Sequence, residues 1–169
     1  MSGNVDFDQQ IQNALITVDA AGRGGEVPVH IGARVPMTRP WYAAQAHGDG
    51  KGNHDFPVPT QKASAERAAD ALVRIVDENP GQIDIVAIGP LTNIATAVLL
   101  DREFASKVRQ LRVMGGCDNS VGNVSAAAEY NFFVDPEAAD IVFRAGFDVT
   151  VVTWTLTLAR ALWDRDQLA

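Results

Sequence analysis

The sequence is poor in cysteine, in aromatic residues and in positive charge. Cys117 is its single cysteine, so no internal disulfide can form and a reducing compartment fits. Lysine and arginine total 14 against 21 aspartates and glutamates, a net charge of −7. A binder of the phosphate backbone needs a basic stripe, and none is present. The same balance argues against an anionic membrane surface as partner. No apolar run reaches the ~18–20 residues of a membrane helix. The opening MSGNVDFDQQ has neither a basic n-region nor an apolar h-region, so it does not read as a secretory signal. A cytoplasmic globular protein is expected. With 169 residues, 47% of them hydrophobic, the chain is long enough to bury a core, and residues 1–169 read as one domain.

Periodicity predicts an α/β fold. Phe7, Ile11, Leu15 and Val18 recur at helical spacing, which predicts a helix over Val5 to Ala21 with Asn4 or Asp6 as its cap. A short strand is expected at Val27 to Ile31, then a long Gly-, Pro-, His- and Trp-containing loop from Gly32 to Pro59. Ala68, Leu72, Ile75 and Val76 predict a helix over Lys62 to Glu78, stopped at Asn79-Pro80-Gly81. Ile83 to Ile88 is a nearly continuous apolar run, the pattern of a strand buried on both faces. A helix over Leu91 to Leu100 and a strand over Gln110 to Met114 follow. Asp135 to Ala145 reads as a helix with Pro136 in its first turn, and Asp148 to Trp154 as a strand. This alternation implies a mostly parallel sheet with crossover helices. In such sheets ligands bind beyond the carboxyl ends of the strands.

Several segments could carry chemistry. At AIGPLTNIA the strand runs into Gly89-Pro90, which brings the Ile88 carbonyl to the ligand edge. The plainer reading is a strand–helix junction served by Thr92 or Asn93. MGGCDNSVGNVSAAAEYN offers Asn123, Glu129 and Asn131 from one loop. A carboxylate and two amides suit a polyhydroxylated ligand, since they accept and donate together. The plainer reading makes the asparagines turn residues and Glu129 solvated. The glycines form neither a phosphate loop nor a dinucleotide fingerprint. AHGDGKGNHD holds two histidines and two aspartates, at spacings that match neither zinc nor an EF-hand, so His47 reads as pocket-lining. Asp6 and Asp8 stand at a helix start, where the helix dipole already explains carboxylates. Cys117 has no partner histidine in a recognisable motif, and Trp154 and Trp163 read as packing residues.

Several of these blocks, in this order, resemble one family. AIGPLTNIATAV, then RVMGG, then GNVSAAAEYNFFVDPEAA are similar to nucleoside hydrolases, the inosine-uridine-preferring N-ribohydrolases. SGNVDFDQQIQNAL, AHGDGKGN and VVTWTLTL resemble further family segments, so the likeness runs from about Gly3 to Leu158, the central part of the family pattern. The resemblance implies a mostly parallel, Rossmann-like α/β fold and hydrolysis of the N-glycosidic bond of ribonucleosides, a salvage reaction. It implies a small-molecule nucleoside as partner, with no nucleic acid and no membrane, and a homo-oligomer. Asn4, Asn123, Glu129 and Asn131 match ribose-contacting positions, Met114 a residue near the sugar and His47 a residue on the base side. Ile88 matches a position whose backbone carbonyl binds calcium, the family's cofactor.

The family's D-x-D-x-x-x-D-D cluster, which binds calcium and supplies the general base, has no counterpart here. Nor has its C-terminal His-Asp pair, and Thr155 stands where the family carries an acid. No catalytic base can therefore be named, and this polypeptide alone is expected to be inactive or nearly so. The alternatives are a non-catalytic nucleoside or ribose binder, and an interaction module that uses an open sheet edge.

Overall fold

A computed structural model describes residues 3–44, 48–51, 55–119 and 121–161 of the chain. Seven helices and five strands alternate along the described residues: α1 (Phe7–Ala20), β1 (His30–Ile31), β2 (Ser64–Arg67), α2 (Ala68–Glu78), β3 (Asp84–Ala87), α3 (Thr92–Leu100), α4 (Phe104–Lys107), β4 (Gln110–Met114), α5 (Tyr130–Val134), α6 (Pro136–Arg144), β5 (Val149–Val152) and α7 (Trp154–Arg160). Every strand pair is parallel. β1 pairs with β2, and β4 lies between β3 and β5 with Ile85 opposite Leu111 and Leu111 opposite Val149. None of the described helices is long and apolar enough to cross a membrane.

The core follows from strand alternation. Ile85, Ala87, Leu111 and Val113 point to one face of the three-stranded sheet, where Val76 of α2, Leu91 and Ala95 beside or within α3, and Val142 of α6 meet them. Phe104 closes the cluster, with its ring edge-on to Phe147 at 5.9 Å between centroids. Each buried Val, Leu, Ile or Phe side chain contributes about 1.5–3 kcal/mol.

The opposite face corrects the expectation for Ile83 to Ile88. Val86 is 65% and Ile88 78% exposed, because the packed helices lie on one side only. Asp84 on this face is held by both nitrogens of a guanidinium fork, Arg109 Nε and Nη2 at 2.7 Å, and by Arg112 at 3.0 Å. The Arg109 hydrogen bonds keep the Asp84 carboxyl well below its usual range.

Other boundaries also differ from the sequence reading. Ser64 to Arg67 is a strand rather than the start of α2, because the Ser64 N–H donates to the Val29 carbonyl at 2.8 Å and alternate residues are covered. Thr92 and Asn93 do not cap α3. The Thr92 hydroxyl donates to Asp135 Oδ2 at 2.5 Å, and Asn93 Oδ1 accepts from the Ala33 N–H at 2.8 Å. α5 takes in Tyr130 and Asn131, which the sequence reading places at the end of the loop after Met114, and α7 begins at Trp154, the expected end of the last strand. Asp6 caps α1 as expected, accepting from the Asp8 N–H at 2.9 Å, and Asp8 pairs with Arg34 at 3.0 Å.

Candidate active site

The carboxyl ends of β3, β4 and β5 lead into Gly89-Pro90, Gly115-Gly116 and Thr153. β4 carries the site. Gly115 and Gly116 turn the chain immediately after Met114, and Gly116 has φ +67°, a backbone conformation that favours glycine. A Cβ on either glycine would run into the Phe132 ring. The turn and α5 therefore fit face to face.

Glu129 locks them together. Its side chain is buried, and Oε2 accepts from the Gly116 N–H at 2.9 Å and the Phe132 N–H at 3.3 Å, while Oε1 accepts from the Asn131 N–H at 2.9 Å. Two of these donors are free N–H groups of the first turn of α5, so Glu129 is also that helix's cap. The expectation of a solvated Glu129 under the plainer reading is thus overturned. Asn131 is buried beside it, and its Nδ2 donates to the Met114 carbonyl at 3.0 Å with the Met114 sulfur at 3.3 Å. Met114, Glu129 and Asn131 form one hydrogen-bonded cluster at the end of β4. Among the described residues nothing donates to Asn131 Oδ1, and Glu129 Oε1, which accepts once, keeps a further lone pair, whereas Oε2 already accepts twice.

Asn123 and Asn4 stand at the margin of this cluster. Asn123 is exposed, and its Oδ1 accepts from the Tyr130 N–H at 2.8 Å. It thus makes the turn contact that the plainer reading required, with its amide N–H₂ left over. Asn4 is exposed, and its carbonyl accepts from the Ala44 N–H at 2.9 Å. Tyr130 ties the Asn123 loop to the backbone beside Asn4. Its hydroxyl lies 2.5 Å from the Gly3 carbonyl and 2.7 Å from that of Tyr42, and Trp41 Nε1 donates to the Gly3 carbonyl at 2.9 Å. Burial pushes the Tyr130 phenol above its ordinary value.

Asp118 sits where the β4 and β5 ends meet. The Thr155 hydroxyl donates to the Asp118 carbonyl and accepts from the Asp118 N–H at 3.2 Å, and the nearby Thr153 and Thr155 side chains hold the Asp118 carboxyl below the usual range. Thr155, the position at which the resemblance leads one to expect an acid, thus serves the Asp118 loop. Ile88 stands at the end of β3 with its side chain on the bare face. His47 lies outside the described residues.

Tyr130, Trp41 and Asp135 are structural contributors that the sequence reading did not single out. Tyr130 was legible only as the middle of Glu-Tyr-Asn. Asp135 is fully buried, and its carboxylate accepts from Thr92, from the Met37 N–H at 3.0 Å and from the Ala138 N–H at 3.1 Å. It caps α6 and ties the 36–44 segment to the end of α5.

The calcium implied by the resemblance asks for about 6–8 oxygen ligands. Among the described residues no three of His, Cys, Asp and Glu come together as a metal site. Ile88 brings one neutral carbonyl, so the described residues do not fit the ion by themselves.

The model of the inosine-uridine preferring nucleoside hydrolase family matches residues 1–169. This chain belongs to that family. Uridine nucleosidase 1 of Arabidopsis thaliana is 43% identical over 169 residues, which cover 98% of this chain and 50% of that protein. Among solved structures, a plant nucleoside hydrolase superposes with a TM-score of 0.86 at 41% identity, covering 94% of this chain and 51% of that one. A purine-preferring ribonucleoside hydrolase from Gardnerella vaginalis gives 0.87 at 36% identity, covering 93% and 51%. The chain therefore spans about half the length of the relatives it matches. The family carries the α/β fold expected from the sequence.

Proposed function

We propose that this chain is the ribose-recognising part of a nucleoside N-ribohydrolase, a single α/β domain acting on ribonucleosides such as uridine. The reaction replaces the bond from the anomeric carbon to the base nitrogen by one to a water oxygen, giving ribose and free base. The observation that carries this reading is the joining of Glu129, Asn131 and Met114 at the end of β4. Glu129 and Asn131 Oδ1 supply acceptors for two ribose hydroxyls, and Asn123 supplies a donor at the margin. Departure of the base builds positive charge on the sugar. A carboxylate fixed by three N–H donors sits ready for that charge and needs no reorganisation. The lone Cys117 fits a reducing, cytoplasmic setting.

Calorimetric titration with uridine and inosine, run beside an assay for released ribose, tests this. Asn131→Ala should weaken nucleoside binding by about tenfold, the worth of one lost hydrogen bond to a bound polar group. A folded parent chain that neither binds nor cleaves either nucleoside would refute the reading. Binding without ribose release would favour the non-catalytic binder.

A further inference from the structure

The sugar-contacting residues come from two distant segments. Asn123, Glu129 and Asn131 lie on one, and Asn4 lies on the other, next to Gly3. Asn4 is exposed, and its side chain makes no hydrogen bond among the described residues. Only the backbone therefore fixes where its amide stands. The Gly3 carbonyl accepts from Trp41 Nε1 at 2.9 Å and lies 2.5 Å from the Tyr130 hydroxyl, and the Asn4 carbonyl accepts from the Ala44 N–H at 2.9 Å. Trp41 and Ala44 flank a residue that the Tyr130 hydroxyl also reaches, Tyr42, whose carbonyl is 2.7 Å away. With one proton and two carbonyls in reach, the hydroxyl is engaged in either orientation.

Tyr130 meets both segments. Its N–H donates to Asn123 Oδ1 at 2.8 Å, and its chain neighbours are Glu129 and Asn131. Among the described residues, its hydroxyl makes the one hydrogen bond that joins residues 123–131 directly to Gly3 or Asn4. The residue is 6% exposed; its ring lines a cavity of about 400 Å³ beside Asn123, while its hydroxyl is spent on protein carbonyls. A misplacement of about 1 Å is enough to break a hydrogen bond to a ligand. We propose that Tyr130 is a positioning residue for nucleoside binding, its hydroxyl setting Asn4 against Glu129 and Asn131 through the Gly3 carbonyl. The proposal rests on the ribose reading above.

A double-mutant cycle followed by calorimetry with uridine tests it. Tyr130→Phe keeps the ring and removes the hydroxyl alone, and Asn4→Ala keeps the backbone carbonyl and removes the amide side chain alone. Each should weaken uridine binding by about tenfold, the worth of one hydrogen bond to a bound polar group, and the double variant should also be weaker by about tenfold rather than about a hundredfold. A buried tyrosine hydroxyl needs a partner for packing reasons too, but a packing role alone would leave the Asn4→Ala loss undiminished. Trp41→Phe, which removes the other donor to the Gly3 carbonyl, should show the same non-additivity with Asn4→Ala, with circular dichroism verifying the fold of every variant. Unchanged binding in Tyr130→Phe or in Asn4→Ala, or additive losses in either double variant, would overturn the proposal and leave the ribose reading to the Asn131→Ala result. If the parent chain binds no uridine, the ribose reading fails and the positioning role falls with it.

Discussion

Glu129 has a structural burden that is separable from ligand binding. In Glu129→Ala the N–H groups of Gly116, Asn131 and Phe132 lose their acceptor. The Asn131 contact is buried and the other two are half-buried. Hydrogen bonds to a charged group contribute about 1.5–3 kcal/mol each when well shielded and about 1 when partly wet. One at the first value and two at the second give a loss of about 4 kcal/mol. Glu129→Gln keeps one oxygen. Turned toward Gly116 and Phe132, it retains two donors and sets its own N–H₂ against the Asn131 N–H, for a loss of about 2 kcal/mol. For a chain of this size each kcal/mol lowers Tm by about 2–4 °C. Urea unfolding followed by tryptophan fluorescence should rank parent above Gln above Ala at unchanged slope. If both variants unfolded within about 0.5 kcal/mol of the parent, the carboxylate would not be the clamp between the β4 turn and α5.

Asp135→Ala should cost about 3–5 kcal/mol, because the Thr92 hydroxyl and two N–H groups lose their acceptor at a fully buried position, and Asp135→Asn should cost less; thermal unfolding of the two variants checks the order. The Asp84 ion pair makes the stability fall in acid. Its carboxyl is held below the unfolded value of about 4, so its contribution is complete above that pH and is lost as pH falls toward the folded value. The stability difference between parent and Asp84→Asn should therefore shrink between about pH 5 and pH 2, and a constant difference would contradict the sign. Lys107 behaves oppositely. Hydrogen bonds to Asp101 and then Asp77 raise it, so its contribution is present below about pH 10 and is lost on going more alkaline.

Much of the layout was legible because local signals agree with their surroundings. Gln110 to Met114 is a strand at the expected bounds, and α6 follows its Pro136 signal, with Asp135 placed by the structure as its cap. Asp6 caps α1 for the same local reason. The errors fall where a distant partner decides. Ser64 to Arg67 lies beside apolar residues at helical spacing, yet pairing with β1 makes it a strand. Thr92 and Asn93 have the chemistry of helix caps, yet Asp135 and Ala33 claim them. In the site, Asn123, Glu129 and Asn131 could be chosen from one loop by residue type and by resemblance. That Glu129 is buried and binds three N–H groups could not, because Gly116 lies 13 residues before it.

The sequence by itself determined the α/β class, the order of most elements and the family, since these depend on short-range pattern and on ordered motifs. It also singled out Asn123, Glu129 and Asn131, the polar groups proposed to meet the sugar. Tertiary structure alone decided that the three-stranded sheet is covered on one face, and that Tyr130 ties Gly3 to Tyr42. It alone formed the cavity beside Asn123. These features join residues 88 or more positions apart, or depend on which faces the packed helices reach. Periodicity reports which side of an element is apolar. Only packing decides what, if anything, covers it.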